Sequence, residues 1–478
     1  MRAVRAGLLP AVVVAALLGG CTADPPDAAP PATTAPPPDF RPGADGIGDP
    51  YFPTYGNGGY DVAGYDLKLR YDPGTDVLSG SATITATATQ DLSRLNFDLS
   101  RLTASAVTVD GRAATYRAAG DELVVTPPAG ILHDQRFTVV VRYAGKPGTL
   151  GNETLGESGF LTTQTGAFAL GEPESASTWF PVNDHPSDKA AFTLAMTVPD
   201  GVEVISNGVP GDRAGADDGW TTWTWSQRAP MASYLATVVI GQYRVSTGTH
   251  RGKPLVTAVP TSLPANGGAA RSLARTPEIS DFLETQFGPY PFDAYGGVVL
   301  DDERVNYALE VQTRPVYGNT FFRDGPTTGV LAHELAHQWF GDSVSVSRWR
   351  DIWLNEGFAT YAEWLWSEHT GGDGPQALFD REYEAFRDWA TPPGEPGTKG
   401  LFSPAVYQRG AMTVHALRLA IGDDDFFRLL RTWTAEKKDG NATTEEFIAV
   451  AERVSGESLD ALFQAWLFGT TMPAKPTR

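Results

Sequence analysis

Between residues 51 and 247 apolar and polar positions alternate with a period of two. Tyr65, Leu67, Leu69 and Tyr71 are separated by polar partners, and residues 81–89 repeat small and β-branched side chains in the same rhythm. Shorter runs at 137–143, 221–225 and 236–240 are set off by Gly, Pro and Asp turns, the signature of antiparallel sheets packed on one another. Beyond Gly252 the period lengthens. Ile279, Phe282, Leu283 and Phe287 recur at helical spacing, as do apolar positions in 330–340, 355–369, 410–421, 425–434 and 444–454. Strand-like stretches at 297–300 and 308–313 precede most of these helices. The pattern predicts a β-then-α chain, with an antiparallel β-sandwich or saddle domain followed by a mainly helical one, and no repeat of fixed period.

A length of 478 residues supports this division, because single cores stop growing at roughly 250 to 300 residues. The expected boundaries are a signal segment at 1–21, a Pro/Ala/Thr-rich linker at 22–50, the β domain at 51–250 and the helical domain at 251–472. Arg2 and Arg5 precede an apolar run at 8–18 that is too short to cross a bilayer. That run ends Leu18-Gly19-Gly20-Cys21, which resembles a bacterial lipobox. The resemblance implies export, lipid on Cys21 and anchoring on the outer face of the cell membrane; the other reading is an ordinary signal peptide with an incidental cysteine. Cys21 is the single cysteine, so an intramolecular disulfide and a cysteine zinc site are both excluded.

Charge narrows the partners. The 57 acidic against 37 basic residues leave a formal charge of -20, which repels phosphate backbones and makes nucleic acid an unexpected partner. Such a surface promotes solubility and also suits cationic ligands such as peptide amines.

His333-Glu334-Leu335-Ala336-His337 places two histidines at i and i+4, one turn apart on the same helix face, where both imidazoles reach one zinc ion at about 2.0 to 2.1 Å. Thr327 or Thr328 offers an N-cap for that helix and Gly341 a terminator. A catalytic zinc needs a third protein ligand and an open position. With eighteen residues between it and His337, Glu356 follows Asn355, a candidate cap of a second helix; a glutamate there either completes the ligand set or simply favours the helix dipole.

These two segments, H-E-L-A-H-Q-W-F-G-D at 333–342 and W-L-N-E-G-F-A at 353–359, resemble the gluzincin metallopeptidases of the aminopeptidase N family, whose relatives include leukotriene hydrolase. A further match runs from Glu172-Pro173 through Trp179-Phe180-Pro181 to Asn183-Asp184-His185-Pro186. The resemblance implies a thermolysin-like catalytic domain and one zinc ion per chain on His333, His337 and Glu356. It implies Glu334 as general base for a metal-activated water, and Tyr407, in Val406-Tyr407-Gln408-Arg409-Gly410-Ala411, as the donor to the oxyanion, with Arg409 where the family has Lys. Glu310 corresponds to the glutamate of the family's G-x-M-E-N motif, which here reads Tyr307-Ala308-Leu309-Glu310-Val311. Glu172 corresponds to a second amine-binding acid, with Leu170 where glutamine is usual. The chain ends at Arg478 without the large helical C-terminal domain of many relatives, so an open site is expected.

The expected function is therefore a zinc aminopeptidase that acts on peptides with a free N-terminus. The alternatives are a zinc endopeptidase, another amide or epoxide hydrolase, and a catalytically silent surface binding module. Asp351 and Glu363 are candidates to hold the outer nitrogens of the zinc imidazoles.

Overall fold

The computed structural model describes residues 15, 20, 38–152 and 156–476. Cys21, the expected lipid site, and residues 22–37 lie outside the described residues. No helix among the described residues is long and apolar enough to cross a membrane.

The period-two segments form the expected strands. In Tyr60–Asp72 the residues Tyr60, Val62, Tyr65, Leu67, Leu69 and Tyr71 are all buried, and a glycine-marked register shift between Val62 and Gly64 keeps both ends of the strand facing the core. This strand lies in the middle of an eight-stranded sheet. Its neighbour Val77–Ala88 is antiparallel, as expected. Its other neighbour, Lys189–Pro199, is parallel to it, so the sheet is mixed and not purely antiparallel. A parallel pair needs a long crossover, and more than a hundred residues of other strands supply it here. A five-stranded antiparallel sheet, which includes Ala167–Leu170 and Val238–Gly241, carries the segment that leads to Glu172.

Strand pairing ties Tyr243–His250 to the second half of the chain: it and Lys253–Pro260 continue into Tyr295–Leu300, Val316–Gly318 and Ala308–Leu309 as one sheet. Strand structure near 308–313 is limited to Ala308–Leu309, because Val311–Thr313 turn sharply, with Thr313 at φ 67, before Val316–Gly318 resumes pairing.

Nine α-helices lie in this half among the described residues, the first two within the span of that sheet and the rest after it: α1 Gly268–Leu273, α2 Thr276–Phe287, α3 Gly329–Ala336, α4 Trp353–His369, α5 Pro375–Ala385, α6 Gly410–Ile421, α7 Asp423–Glu436, α8 Thr444–Ser455 and α9 Asp460–Phe463. The aromatic rings of Phe340, Trp353, Phe358 and Phe447 interlock where α4, α8 and the end of the α3 segment meet. At α8, Thr443 and Glu446 form a capping box.

The chain from Asp39 is packed, not tether-like up to residue 50. Arg41–Pro42 pairs with Leu92–Asp98, and the buried Asp49 carboxylate accepts hydrogen bonds from the Tyr51, Phe52 and Trp349 amides at 2.8, 3.1 and 2.9 Å. Burial raises the Asp49 pKa, but these bonds and His185 outweigh it and hold the group down at about 2. The β half also reaches the helical half through Lys189, whose buried ammonium donates to the carbonyls of Asp342, Ser343 and Gly440 at 2.8, 2.9 and 3.2 Å.

Candidate active site

The site begins on α3. Its apolar residues Leu331, Ala332, Leu335 and Ala336 are buried, and this packing turns His333 and His337 to the opposite face. Thr328 does precede the helix, but its side chain makes no cap bond; its hydroxyl instead accepts the indole N–H of Trp366 at 2.9 Å. The helix ends at Ala336 with His337 still in helical geometry, and Gly341 at φ 129 reverses the chain.

α4 brings the third group. It starts at Trp353, directly after a tight turn at Trp349–Asp351, so Asn355 lies inside the helix and does not cap it. Glu356 thus occupies the first turn of α4. Its neighbour Gly357 lies against Gly410 of α6: a Cβ on Gly357 would fall 3.0 Å from the Gly410 backbone, and one on Gly410 would fall 2.9 Å from Gly357. This close crossing delivers Glu356 beside the turn at Ala405–Arg409 that carries Tyr407.

Oε2 of Glu356 stands 3.3 Å from Nε2 of His333 and 3.4 Å from Nε2 of His337. Direct charged hydrogen bonds contract to about 2.7 to 2.9 Å, whereas the edge of a tetrahedron with zinc bonds of about 2.0 to 2.1 Å is about 3.3 to 3.4 Å. The three atoms therefore have ligand spacing. The outer nitrogens are already engaged: Nδ1 of His333 donates to Glu363 at 2.7 Å, and Nδ1 of His337 donates to the Phe340 carbonyl at 2.9 Å. Both Nε2 atoms are thereby left as acceptors facing Glu356. Asp351 serves elsewhere, accepting from Arg348 at 2.9 Å and from the Thr444 hydroxyl at 2.7 Å.

Electrostatics favour a cation at the same point. Burial pulls the His337 imidazole down, but Glu356 and Glu310 outweigh it and push it up to about 9. Burial raises Glu356, yet His337 and His333 hold it down at about 2. The two imidazoles are drawn toward positive charge by an excess of carboxylates, a demand that one divalent ion meets with both rings neutral. The donor set, its spacing and its outer partners all fit zinc.

A cavity of about 590 Å³ opens over this cluster, lined by Glu172, Glu310, His333, Glu334, Glu356 and Tyr407 among others. Burial pushes Glu334 up to about 8 against the lowering effect of the two imidazoles. The Tyr407 ring lies 6.0 Å from that of His333, nearly parallel at 19°, and burial together with Glu356 and Glu172 keeps its hydroxyl protonated well above the usual phenol range. Glu172 and Glu310 join Glu356 in a second cluster whose carboxylate oxygens lie within 4.8 Å of one another. Glu172 is 5% exposed and its Oε1 has no protein partner; burial, then Glu310 and Glu356, raise its pKa well above the carboxylate range. Three crowded carboxylates with an unpartnered oxygen form a seat for an ammonium group.

The seven residues expected to bind metal, catalyse or hold the substrate amine thus converge on one cavity. Two neighbours had no such expectation. Gln338 donates to the Glu310 carbonyl at 3.0 Å and accepts the Thr313 amide at 2.7 Å, fixing the Glu310 segment to the turn that follows α3. Tyr234, from the β half, donates its hydroxyl to Glu310 Oε1 at 2.9 Å. Gln338 follows His337 directly in the chain, a cue available locally; Tyr234 has none. The substitution at Arg409 also has a structural basis: its buried guanidinium donates to the carbonyls of Trp389, Thr391, Ala465, Trp466 and Gly469, a fan of donors that a lysine ammonium does not supply.

Residues 276–466 match the Peptidase family M1 domain, and residues 62–235 the Peptidase M1 N-terminal domain. The chain is similar to glutamyl aminopeptidase of Sus scrofa, 27% identical over 62% of this chain and 34% of that protein. It is also similar to aminopeptidase M1-D of Oryza sativa subsp. japonica, 26% identical over 84% of this chain and 49% of that protein. The chain thus spans a third to a half of the length of these curated relatives. Among solved structures it is similar to the M1 zinc metallopeptidase from Deinococcus radiodurans, with 31% identity, a TM-score of 0.82, and coverage of 90% of this chain and 99% of that one. A mutant of that enzyme bound to a Tyr-Ser-Ala substrate matches with 30% identity, a TM-score of 0.83 and the same coverage.

Proposed function

This chain belongs to peptidase family M1, and from that premise we propose that it is a zinc-dependent aminopeptidase that releases the first residue of peptides. The observation that carries the reading is the pairing of two clusters in one cavity: His333, His337 and Glu356 at zinc-ligand spacing, and Glu172, Glu310 and Glu356 within 4.8 Å of one another beside them. An ammonium held by the second cluster sets the first peptide bond against the first cluster, and such fixed placement is worth several orders of magnitude in rate.

His333, His337 and Glu356 would hold the zinc ion, which when bound supplies Lewis acidity that polarises a carbonyl and acidifies water. Glu334 takes a proton from the attacking water and returns it to the leaving nitrogen. Tyr407, kept protonated, donates its hydroxyl to the carbonyl oxygen as that oxygen becomes anionic. Tyr407→Phe is expected to lower kcat by about 10² to 10³ with metal content unchanged, in line with the loss of one oxyanion donor; an unchanged kcat would remove Tyr407 from this role.

The test of the reading is hydrolysis of an aminoacyl-peptide before and after N-acetylation, with zinc removed by a chelator and then restored. Free-amine substrate should be cut only with metal present, and acetylation should suppress cutting strongly. Equal rates on both forms would identify an endopeptidase instead. The cavity lining also contains no Lys or Arg but five glutamates. Peptides beginning with Asp or Glu should therefore be cut at least about tenfold more slowly than those beginning with Arg or Tyr, in contrast to the activity named for the glutamyl relative. Comparable kcat/KM across these peptides would refute that selectivity.

For location, we propose export and lipid attachment at Cys21, supported by the arginine-flanked apolar run and the Leu18-Gly19-Gly20-Cys21 ending. Metabolic labelling with a radioactive fatty acid should mark the wild-type protein and not Cys21→Ser; unlabelled wild type would end this proposal.

A further inference from the structure

The N-terminal β domain reaches the cavity with more than Glu172. Its tight turn at Ser233–Leu235 places Tyr234, 1% exposed, between the two amine-binding acids. The hydroxyl donates to Glu310 Oε1 at 2.9 Å. The Tyr234 backbone, for its part, presses on the segment that carries Glu172: a Cβ on Gly171 would fall 2.6 Å from the Tyr234 carbonyl oxygen. One residue therefore touches the settings of both carboxylates.

The turn is itself braced from two sides. Ser233 donates its hydroxyl to the buried Asp184 at 2.7 Å, and Asp184 also accepts the Ser177 amide at 3.1 Å. The Tyr234 ring packs on Trp349 with centroids 5.6 Å apart, and Trp349 is held through its amide by Asp49. Among the described contacts Tyr234 is the only side-chain donor to the Glu310 carboxylate, which otherwise receives its own backbone N–H; Gln338 holds the Glu310 backbone carbonyl. A glutamate has three rotatable side-chain bonds, and a single contact to its own amide leaves the carboxylate freer to turn away from an incoming ammonium than one held from a second element by the Tyr234 hydroxyl.

Resting on the aminopeptidase reading, we propose that Tyr234 is a positioning residue for substrate amine recognition: its hydroxyl fixes the orientation of the Glu310 carboxylate, and its backbone sets the Glu172 segment opposite. The role is distinct from zinc binding, since Tyr234 makes no hydrogen bond to His333, His337 or Glu356. It also makes amine recognition a product of both domains, because the turn belongs to the β half and Glu310 to the catalytic half.

The experiment compares Tyr234→Phe with the wild-type protein on alanine, tyrosine and arginine 4-nitroanilides and on their N-acetylated forms, with zinc content and thermal melting measured alongside. The variant keeps the ring and the Trp349 contact and loses only the donor. The expected result is a KM for free-amine substrates raised about tenfold, consistent with loss of a hydrogen bond to a charged group, with kcat within about twofold. Slow hydrolysis of the acetylated forms should be unchanged, so discrimination between free and acetylated substrate narrows about tenfold. Equal losses on both forms, or a fall in kcat alone, would overturn the positioning role in favour of a merely structural one; unchanged KM and discrimination would overturn it as well. A second variant, Gly171→Ala, should also weaken free-amine substrates selectively by displacing Glu172, and an unaltered free-to-acetyl ratio there would remove the backbone half of the proposal. If wild type itself cleaves no free-amine nitroanilide, the aminopeptidase reading fails and the inference falls with it; wild type that cleaves while Tyr234→Phe is indistinguishable from it ends the inference alone.

Discussion

Glu334→Gln should lower kcat by about 10² to 10⁴ while the protein still carries one zinc ion per chain. The substitution preserves size and removes only the ability to accept a proton. Glu334 makes no hydrogen bond to His333, His337 or Glu356, whose own contacts run to one another, to Glu363 and to the Phe340 carbonyl, so the ligand set has no reason to rearrange. Burial has already placed this carboxyl near neutral pH, at about 8, a setting in which a group can both take and return a proton. Single-turnover rates together with elemental analysis check the claim. A variant that retains more than about a tenth of the wild-type kcat would move the base elsewhere, and one that loses its zinc would show Glu334 to be part of the metal's hold.

The second large effect separates metal from chemistry in the other direction. Glu356→Ala should weaken zinc binding by more than about 100-fold, because loss of an outer partner alone costs roughly 10- to 100-fold and here a direct ligand is removed. Activity should vanish with the metal and should not return on zinc addition that restores chelated wild type. The variant also leaves His333 and His337, both buried, facing fewer compensating charges, yet α4 keeps its other buried contacts, so circular dichroism should remain native. Full metal occupancy in Glu356→Ala would place the third ligand on another residue, with Glu310, whose carboxylate also lies within 4.8 Å of His337, as the first to examine.

What was legible in the chain followed from how local the cause is. Helical spacing and apolar faces are written in neighbouring residues, so α4, α6, α7 and α8 lie within about two residues of the expected spans, α2 contains the expected apolar positions but begins ahead of them, and the i and i+4 geometry of His333 and His337 follows from the same spacing. Helix ends were less legible. Asn355 is an excellent cap by residue type, but the turn at Trp349–Asp351 starts α4 two residues earlier, and the Thr328 hydroxyl accepts the Trp366 indole N–H rather than an amide of its own helix. Of the two acids considered as outer partners, Glu363 sits on the same α4 face as Glu356, seven residues on, and reaches His333. Asp351 is nearer in sequence to the ligand and yet is turned to Arg348 and Thr444. Glu172 was visible only through resemblance, and Tyr234 was not visible at all. Each depends on the β half approaching the helical half across more than seventy residues of chain, and no short-range pattern encodes that approach. The parallel pairing of Tyr60–Asp72 with Lys189–Pro199 escaped for the same reason.

The contact between Gly357 and Gly410 gives this catalytic arrangement its narrowest tolerance. Two helices meet there with bare backbones, so the gap between the ligand carboxylate and the phenol of the turn that leads into α6 is set by a contact without side chains. Inserting a single methyl at either point would act as a wedge under both arms of the chemistry at once, shifting one against the other without altering any residue that reacts. A side chain at either of these two positions should thus cost more than a change at many buried leucines, whose neighbours can repack around it.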